Sequence, residues 1–396
     1  MSAAREIYAD HAGTTRPAPE VVEAMRPFLG ERFGNPSSVH RRGEAAREAL
    51  DHARAQVASV IGGSPEEIVF TASGSEANNL ALKGLLAASA TETRRRLVVS
   101  AIEHPSVLET ARHLETRGVP VTVLPVDREG VVAVETAERA LGDDVALVLL
   151  MLVNNETGAL QPVAEIAALA HATGARVHCD AVQAVGKRTV DVGALEVDLL
   201  SLAGHKFHGP LGAGALYVRR RTRLLPQVHG GHQERSRRAG TENLAAVVGL
   251  GAAAARAATR LDAHRANDGS ALGDRLLEGL LARVPGTRLN GSRDRRLRAI
   301  VNLCFTGVDG EAMLHELDLE GVTVSTGSAC SAASPGPSHV LLAMGLSPED
   351  AHASVRFSLG EDNTPADIDR ILEITPPIAA RLRALAGVTS GLRTSA

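Results

Sequence analysis

Aromatic side chains are scarce in this sequence of 396 residues: they make up 2% of it, and tryptophan is absent. The hydrophobic share of 44% still supplies enough leucine, valine and alanine to build a core. At this length, the composition predicts a soluble protein with one large domain and one smaller domain. The formal net charge of −4 gives no electrostatic reason to expect nucleic acid or an anionic membrane as a partner.

Cysteine is also rare, since Cys179, Cys304 and Cys330 are widely separated and form no CxxC pair. A disulfide scaffold and a cysteine-based metal site are therefore not expected, and no metal is predicted. No signal-peptide-like stretch is found, and the apolar runs look too short to span a bilayer. These observations predict a protein of the reducing cytoplasm.

Strand-like apolar segments alternate with helical patterns through the first part of the chain. Residues 68–71, 97–102, 145–153 and 176–179 each precede a loop and a helix. This alternation predicts an α/β fold with a mostly parallel sheet covered by helices. The composition changes near residue 260. We therefore predict a large domain over residues 14–259 and a smaller α+β domain formed by residues 1–13 and 260–396.

Residues able to do chemistry fall where the predicted strands end. In such sheets, ligands bind beyond the carboxyl ends of the strands. The convergence of these positions at one edge therefore predicts a binding site. Its members are Ser75, His104, Asn155, Asp180 and Lys206.

Lys206 stands in a Gly204-His-Lys turn between two strand-like segments. A buried lysine amine suits a Schiff base with pyridoxal phosphate, and Asp180 can supply the carboxylate that this cofactor requires at its pyridine nitrogen. Each residue also has a simpler interpretation. Lys206 can be a surface lysine, Asp180 a helix cap and His104 a histidine satisfied by its neighbours.

Three further positions are open to two interpretations in the same way. The turn at Ser75 can hold a phosphate at a helix N-terminus or simply cap that helix. Arg356 can receive a substrate carboxylate or form an internal ion pair. Cys330 lies in a small, polar, Pro/Gly-rich stretch over residues 326–338, which predicts a mobile loop with a reactive thiol or an incidental exposed one. Cys179 and Cys304 are expected to be inert core residues.

The chain resembles the cysteine desulfurases of the nitrogen-fixation and iron–sulfur-cluster type, within the aminotransferase-like superfamily (fold type I) of pyridoxal phosphate enzymes. The resemblance covers about residues 7 to 385, and its motifs occur in the family's order. They are Phe33-Gly-Asn-Pro-Ser-Ser, Ala101-Ile-Glu-His, Val153-Asn-Asn-Glu-Thr-Gly, Asp180-Ala-Val-Gln, Gly204-His-Lys, Arg238-Ala-Gly-Thr-Glu-Asn, Gly327-Ser-Ala-Cys-Ser and Val355-Arg-Phe-Ser-Leu-Gly.

The resemblance implies a seven-stranded type of sheet and a role for each matching residue. Lys206 would carry the cofactor, Asp180 would pair with its pyridine nitrogen, Gln183 would contact the ring hydroxyl and His104 would stack on the ring as an acid/base. The phosphate would be held by Gly74, Ser75 and His205, with Thr241 reaching across from a second subunit. The substrate carboxylate would be received by Asn155, Arg356 and Asn35, and Cys330 would accept the sulfur.

The activity implied by the resemblance converts L-cysteine to L-alanine and leaves a persulfide on Cys330. The implied partners are a second copy of the chain and a sulfur-acceptor protein, either an iron–sulfur scaffold or a tRNA-thiolation protein. Two positions depart from the family pattern: Ala203 replaces a common serine, and Gly13 replaces a common alanine. Selenocysteine lyase is the nearest alternative, followed by an aminotransferase and a non-catalytic sulfur-relay scaffold.

Overall fold

The computed structural model describes residues 6–88, 94–262, 269–326 and 336–387. The strands in these ranges are β1 (Ile7–Tyr8), β2 (Ile68–Thr71), β3 (Arg96–Ser100), β4 (Val121–Leu124), β5 (Val145–Met151), β6 (Arg176–Asp180), β7 (Leu199–Ala203), β8 (Gly214–Val218), β9 (Thr287–Leu289), β10 (Ile300–Phe305), β11 (Val322–Thr323) and β12 (Ser354–Ser358).

The α-helices of the same ranges cover the strands and connect them. They are α1 (Pro19–Met25), α2 (Arg41–Val60), α3 (Gly74–Ala88), α4 (Pro105–Glu115), α5 (Val134–Ala140), α6 (Val163–Ala172), α7 (Gln233–Ser236), α8 (Leu244–Asp262), α9 (Ser270–Arg283), α10 (Gly310–Leu319), α11 (His339–Ala343), α12 (Pro348–His352) and α13 (Pro365–Leu385).

The larger sheet has seven strands in the order β2-β8-β7-β6-β5-β3-β4. Strands β7, β6, β5, β3 and β4 pair in parallel, and β8 runs antiparallel to both of its neighbours. Strands β5, β7 and β8 are buried along their whole length, as expected for a sheet covered on both faces. The predicted mostly parallel α/β sheet is confirmed. The carboxyl ends of β2, β3, β5, β6 and β7 therefore meet at one edge.

Two helices on one face of this sheet pack unusually closely. A β-carbon on Gly251 of α8 would lie 2.7 Å from the α-carbon of Ala53 in α2. Only glycine allows the two backbones this separation. Helix α8 is long and apolar enough to cross a membrane by length and composition alone, as the core helix of a globular protein can also be. Leu250, Ala253 and Ala254 of α8 are nevertheless buried in the protein core.

The C-terminal residues build a separate sheet and a separate apolar core. Strands β12, β10 and β9 form an antiparallel sheet in that order, and β1 pairs in parallel with β11. Ile7 and Ala9 from the N-terminus pack into this core, together with helices α9, α10 and α13. The N-terminal segment then crosses to the larger sheet, which brings residues 10–15 to the edge where the strands of the larger sheet end. The boundaries of the two domains remain a prediction.

Candidate active site

Side chains from several strand ends line one cavity of about 280 Å³ at this edge. The larger sheet, the N-terminal segment and β12 all contribute to it. The lining includes nine of the residues proposed from the sequence: Gly74, Ser75, His104, Asn155, Asp180, Gln183, His205, Lys206 and Arg356. Ala203, at the end of β7, lines the same cavity.

Lys206 ends the short 3-10 turn that follows β7. Its Nζ donates hydrogen bonds to the backbone carbonyls of Ala12 (2.7 Å) and Gly13 (2.6 Å). The turn is tight because the Gly209 N–H bonds back to the Gly204 carbonyl. A β-carbon on Gly209 would lie 2.9 Å from that carbonyl oxygen, so glycine permits this geometry. The turn thus places an amine at the cavity wall, facing the N-terminal segment.

Asp180, the last residue of β6, is held by donors on both carboxylate oxygens. Asn78 Nδ2 donates to Oδ2 over 2.8 Å, and the Val182 N–H donates to Oδ1 over 3.0 Å. Asn78 Nδ2 also lies 2.9 Å from Ser106 Oγ. Asn78 was not proposed from the sequence. Its position four residues after Gly74 on α3, hence on the same helix face, is the signal that could have identified it.

His104 caps helix α4 with its own imidazole. Its Nδ1 accepts a hydrogen bond from the Ser106 N–H (3.1 Å) and lies 2.8 Å from Ser106 Oγ. Burial lowers the pKa of His104, and Lys206 acts in the same direction, while the Asp180 carboxylate opposes them. The imidazole is therefore neutral, and the hydrogen-bond pattern assigns its proton to Nε2.

The N-terminus of α3 forms another wall of the cavity. Ser73 Oγ accepts from the Glu76 N–H, which leaves the earlier N–H groups of Gly74 and Ser75 without intrahelical acceptors. Such N–H groups and the helix dipole favour an anion. A β-carbon on Gly74 would lie 2.8 Å from Val182 Cγ2, so glycine lets the helix approach the loop after β6.

His205 stands beside this helix terminus as a neutral imidazole. Its Nδ1 lies 3.1 Å from Thr14 Oγ1, and its carbonyl accepts from the Thr15 N–H. Burial lowers the pKa of His205 to about 4, with Lys206 and Lys187 contributing in the same direction. A neutral His205 can donate an N–H to an anion but adds no positive charge to the site.

A second lysine, which the sequence analysis did not single out, is linked to the first. Lys187 Nζ donates to Gln183 Oε1 over 2.7 Å, and Gln183 Nε2 donates over 2.8 Å to the Ala12 carbonyl that Lys206 also contacts. Burial, together with the charges of Lys206 and Arg356, lowers the pKa of Lys187 to about 7, while Asp10 opposes this shift. Nothing in the local sequence distinguishes Lys187 from a surface lysine.

Arg356, on β12, is 2% exposed and carries the guanidinium of the cavity. Its Nη2 forms an ion pair with Asp10 Oδ1 at 2.6 Å. Its Nη1 donates to the Asn155 carbonyl over 2.9 Å. Both interpretations of Arg356 from the sequence therefore describe its position, since it lines the cavity and forms an internal ion pair.

Two proposed site residues, Asn35 and Thr241, do not line the cavity in the described structure, and a third lies outside the described residues. Asn35 is exposed, and its Oδ1 accepts from the Ser37 N–H. Thr241 is exposed on the loop before α8, where Arg238 forms an ion pair with Glu76 of α3 (2.8 Å). Cys330 and most of the proposed loop lie outside the described residues. The roles of all three remain predictions.

The other two cysteines are both buried, as predicted. Burial raises the pKa of Cys179 well above its ordinary value, and the carboxylates of Asp180 and Glu103 act in the same direction. Burial also raises the pKa of Cys304. Both thiols are therefore protonated and poor nucleophiles.

Comparison with known proteins shows the family to which this chain belongs. Residues 7–371 match the family described as Aminotransferase class-V. The chain therefore belongs to the class-V aminotransferase family. A protein of Methanosarcina thermophila named cysteine desulfurase IscS is 44% identical over 385 residues, which span 97% of this chain and 95% of that one. Within the family, the chain accordingly falls among the cysteine desulfurases, which confirms the resemblance seen in the sequence.

Solved structures agree with this assignment. A NifS-like protein superposes with a TM-score of 0.89 at 34% identity, covering 96% of this chain and all of its own. SspA in complex with cysteine superposes with a TM-score of 0.79 at 36% identity, covering 90% of this chain and 100% of its own. The α/β fold of the pyridoxal phosphate enzymes is thereby confirmed for this chain.

Proposed function

We propose that this chain binds pyridoxal phosphate at Lys206 and removes sulfur from L-cysteine, giving L-alanine and a persulfide on Cys330. The observation that supports this proposal best is that Lys206, Asp180 and His104 line one cavity with a helix N-terminus at its wall. An amine, a carboxylate, an imidazole and an anion site are the groups that this cofactor requires.

The residues of the cavity fit pyridoxal phosphate by their chemistry. Lys206 would hold it covalently, Asp180 would pair with the pyridine nitrogen and Gln183 would contact the ring hydroxyl. The N–H groups of Gly74 and Ser75, together with His205, would hold the phosphate. When bound, the cofactor supplies an electron-withdrawing ring that stabilises negative charge on the substrate's α-carbon.

Two side chains of this chain can move protons in the cavity. The amine of Lys206 lies at the cavity wall and, once the amine of the substrate has replaced it on the cofactor, would take the α-proton of the substrate. The imidazole of His104 is neutral, and its Nδ1 is hydrogen-bonded to Ser106. The Nε2–H of His104 is therefore the group that can exchange a proton with the substrate. Asn78 holds the Asp180 carboxylate in place by a direct hydrogen bond, and that carboxylate would pair with the ring nitrogen.

The substrate carboxylate would bind to Arg356 and Asn155. Guanidinium groups bind carboxylates through paired hydrogen bonds. Among the described residues that line the cavity, Arg356 supplies the guanidinium group. Asn35 would contribute from outside the described cavity lining.

Cys330 would act as the sulfur acceptor. The described residues on either side of it are anchored at the cavity. The Ser325 N–H donates to the Arg356 carbonyl over 3.1 Å, and Ser338 Oγ donates to Glu156 over 2.5 Å, next to Asn155. In the sulfur transfer, the Cys330 thiolate forms an S–S bond as the substrate's Cβ–S bond breaks. The electron pair of that bond returns to the carbon, which gains a proton to give alanine.

The remaining elements of the proposal concern assembly and delivery. The enzyme would work as a cytoplasmic homodimer in which Thr241 of one subunit reaches the phosphate bound by the other. The persulfide would pass to a sulfur-acceptor protein such as an iron–sulfur scaffold or a tRNA-thiolation protein. The relative described as SspA in complex with cysteine supports cysteine as the substrate class.

The test is to incubate the purified holoenzyme with L-cysteine and a thiol, and to quantify alanine and sulfide. We expect equal amounts of both products. Lys206→Ala should abolish both, whereas Lys83→Ala should not, because Lys83 Nζ bonds to Asn79 on α3 and does not line the cavity. Substantial alanine and sulfide production by Lys206→Ala would contradict the proposal.

The sulfur acceptor is tested in the same assay. Cys330→Ala should lose sulfide release while keeping its cofactor, and Cys304→Ala, which alters a buried thiol, is the matched control. Normal sulfide output from Cys330→Ala would contradict its role. A large preference for selenocysteine over cysteine would instead favour a selenocysteine lyase.

A further inference from the structure

The guanidinium of the cavity is already engaged by a carboxylate of the chain itself. Arg356 Nη2 lies 2.6 Å from Asp10 Oδ1, and Nη1 donates to the Asn155 carbonyl. The remaining Nε is buried and has no hydrogen-bond partner among the residues that the structure describes. Arg356 is therefore neutralised by an internal anion while retaining capacity for another acceptor.

The position of the Asp10 carboxylate depends on the absence of a side chain at Gly13. A β-carbon on Gly13 would lie 2.3 Å from Asp10 Oδ2 and 2.9 Å from Asp10 Cγ, far inside contact distance. Gly13 does not have a positive φ, so its backbone does not itself require glycine. What glycine provides here is space for the Asp10 carboxylate next to Arg356.

An incoming carboxylate would compete with Asp10 for the same cation. Paired recognition of a carboxylate by arginine uses neighbouring N–H groups of the guanidinium, and Asp10 and Asn155 each engage a terminal nitrogen. Two carboxylates on one guanidinium also repel each other in a buried site. Binding of a substrate carboxylate therefore weakens the Asp10 contact or displaces it.

Displacement of Asp10 is physically feasible. Its side chain is 18% exposed, against 2% for that of Arg356, so the carboxylate can reach water without leaving a buried charge unpaired.

We propose that Asp10, in the position that Gly13 leaves open, is an internal competitor for the substrate carboxylate at Arg356. Asp10 lowers the enzyme's affinity for amino acids and keeps the guanidinium neutralised before substrate arrives. This inference rests on the proposed function, specifically on Arg356 as the receptor of the substrate carboxylate. Asp10 acts through Arg356 and is a positioning residue.

The experiment compares two ligands that differ only in the carboxylate. L-Alanine and ethylamine are titrated separately into the holoenzyme, and binding is followed by the cofactor's visible absorption. Removing one charged hydrogen-bond competitor from Arg356 should tighten alanine binding about tenfold in Asp10→Asn. Ethylamine, which has no carboxylate, should bind unchanged.

Gly13→Ala provides an independent variant that retains the charge. Its methyl group should push the Asp10 carboxylate away from Arg356, so alanine binding should tighten and ethylamine binding should not change. The matched control is Asp144→Asn, which removes a carboxylate from an ion pair with Arg96 remote from the cavity. That variant should bind both ligands as the unaltered enzyme does.

Three outcomes would overturn the inference: weaker alanine binding in Asp10→Asn, an equal change for both ligands, or no change in Asp10→Asn and Gly13→Ala. Each of these results would mean that Asp10 supports the local structure or has no effect on ligand binding, and does not compete with the substrate carboxylate. Arg356→Gln separates this failure from failure of the proposed function. If it leaves alanine binding unaffected, Arg356 is not the carboxylate receptor and both proposals fail. If it weakens alanine but not ethylamine binding, an unresponsive Asp10→Asn overturns only the role of Asp10.

Discussion

Asn78 and Asp180 are joined by a hydrogen bond of 2.8 Å from the amide Nδ2 to the carboxylate Oδ2. This bond connects the first turns of α3 to the end of β6, and so couples the anion-binding helix terminus to the carboxylate proposed for the pyridine nitrogen. Asn78 is 1% exposed, so removing its side chain deprives Asp180 Oδ2 of a buried hydrogen-bond donor.

Asn78→Ala should therefore weaken cofactor binding. Hydrogen bonds to charged groups contribute about 1.5–3 kcal/mol, which corresponds to a rise in the dissociation constant of roughly tenfold or more. Equilibrium dialysis of pyridoxal phosphate measures this change. Ser106→Ala removes the other partner of the Asn78 amide but leaves the bond to Asp180, so its effect should be smaller. Equal effects of the two variants would show that the Asp180 bond has no special role.

Whether a site residue could be predicted from the sequence depends on whether it lies at the end of a strand. Asp180 ends an apolar strand, and His104 and Lys206 lie in the short connections that follow apolar strands, which the parallel sheet brings to one edge. Asn78 and Lys187 act through contacts with Asp180 and Gln183, and no local pattern marks those contacts. Strand ends are thus predictable, whereas the side chains that orient the strand-end residues are not.

The helix boundaries also show which features the local sequence predicts and which only the folded chain reveals. Residues 41–60 carry apolar side chains with a clear helical period, and they form helix α2. Helix α1, in contrast, ends at Met25, and the chain continues as a 3-10 turn over Arg26–Leu29. Pro27 explains the change, since proline lacks the N–H that a continued α-helix needs. The ion pair of Asp10 with Arg356 joins residues 346 positions apart, and only the folded chain reveals it.

A buried carboxyl next to His104 should make stability depend on pH. Glu103 is fully buried; burial raises its pKa to about 8, although a hydrogen bond from the Met151 N–H opposes this shift. In the unfolded chain, the carboxyl ionises near its ordinary pKa of about 4.3, whereas in the folded protein it stays protonated up to about pH 8. The stability associated with Glu103 is complete below the unfolded pKa and is lost as the pH rises through the folded pKa.

Glu103→Gln resembles the protonated acid at every pH and should remove this dependence. The difference in free energy of unfolding between Glu103→Gln and the unaltered protein should grow in favour of the variant between about pH 5 and pH 8, and then level off. Urea denaturation at a series of pH values measures it. A difference that stays constant over this range would mean that Glu103 ionises normally in the folded protein.

The phosphate end of the site leads to a prediction about assembly. Ala203 lines the cavity and offers no hydroxyl, so the phosphate would depend on the terminus of α3, on His205 and on Thr241 from a second subunit. When one subunit donates a hydrogen bond to the phosphate held by the other, cofactor binding and dimerisation stabilise each other. Thr241→Ala should therefore raise the cofactor's dissociation constant and weaken the dimer, as measured by dialysis and by sedimentation.

Ala203→Ser should partly restore the loss in Thr241→Ala. The β-carbon of Ala203 lies 3.5 Å from the position of a β-carbon on Gly74, so a hydroxyl here would be next to the terminus of α3. Thr259→Ala, whose hydroxyl bonds within α8, is a surface control that should change neither measurement. Unaltered cofactor affinity in Thr241→Ala would exclude the shared site.

The most direct test of the proposed function is to locate the lysine that carries the cofactor. The holoenzyme is reduced with borohydride, digested and mapped by mass spectrometry. We expect a phosphopyridoxyl adduct on Lys206, whose amine lies at the cavity wall 2.7 Å from the Ala12 carbonyl. Lys187 is the informative alternative, because it is linked to the same carbonyl through Gln183. An adduct on Lys187, or no lysine adduct at all, would show that Lys206 does not carry the cofactor.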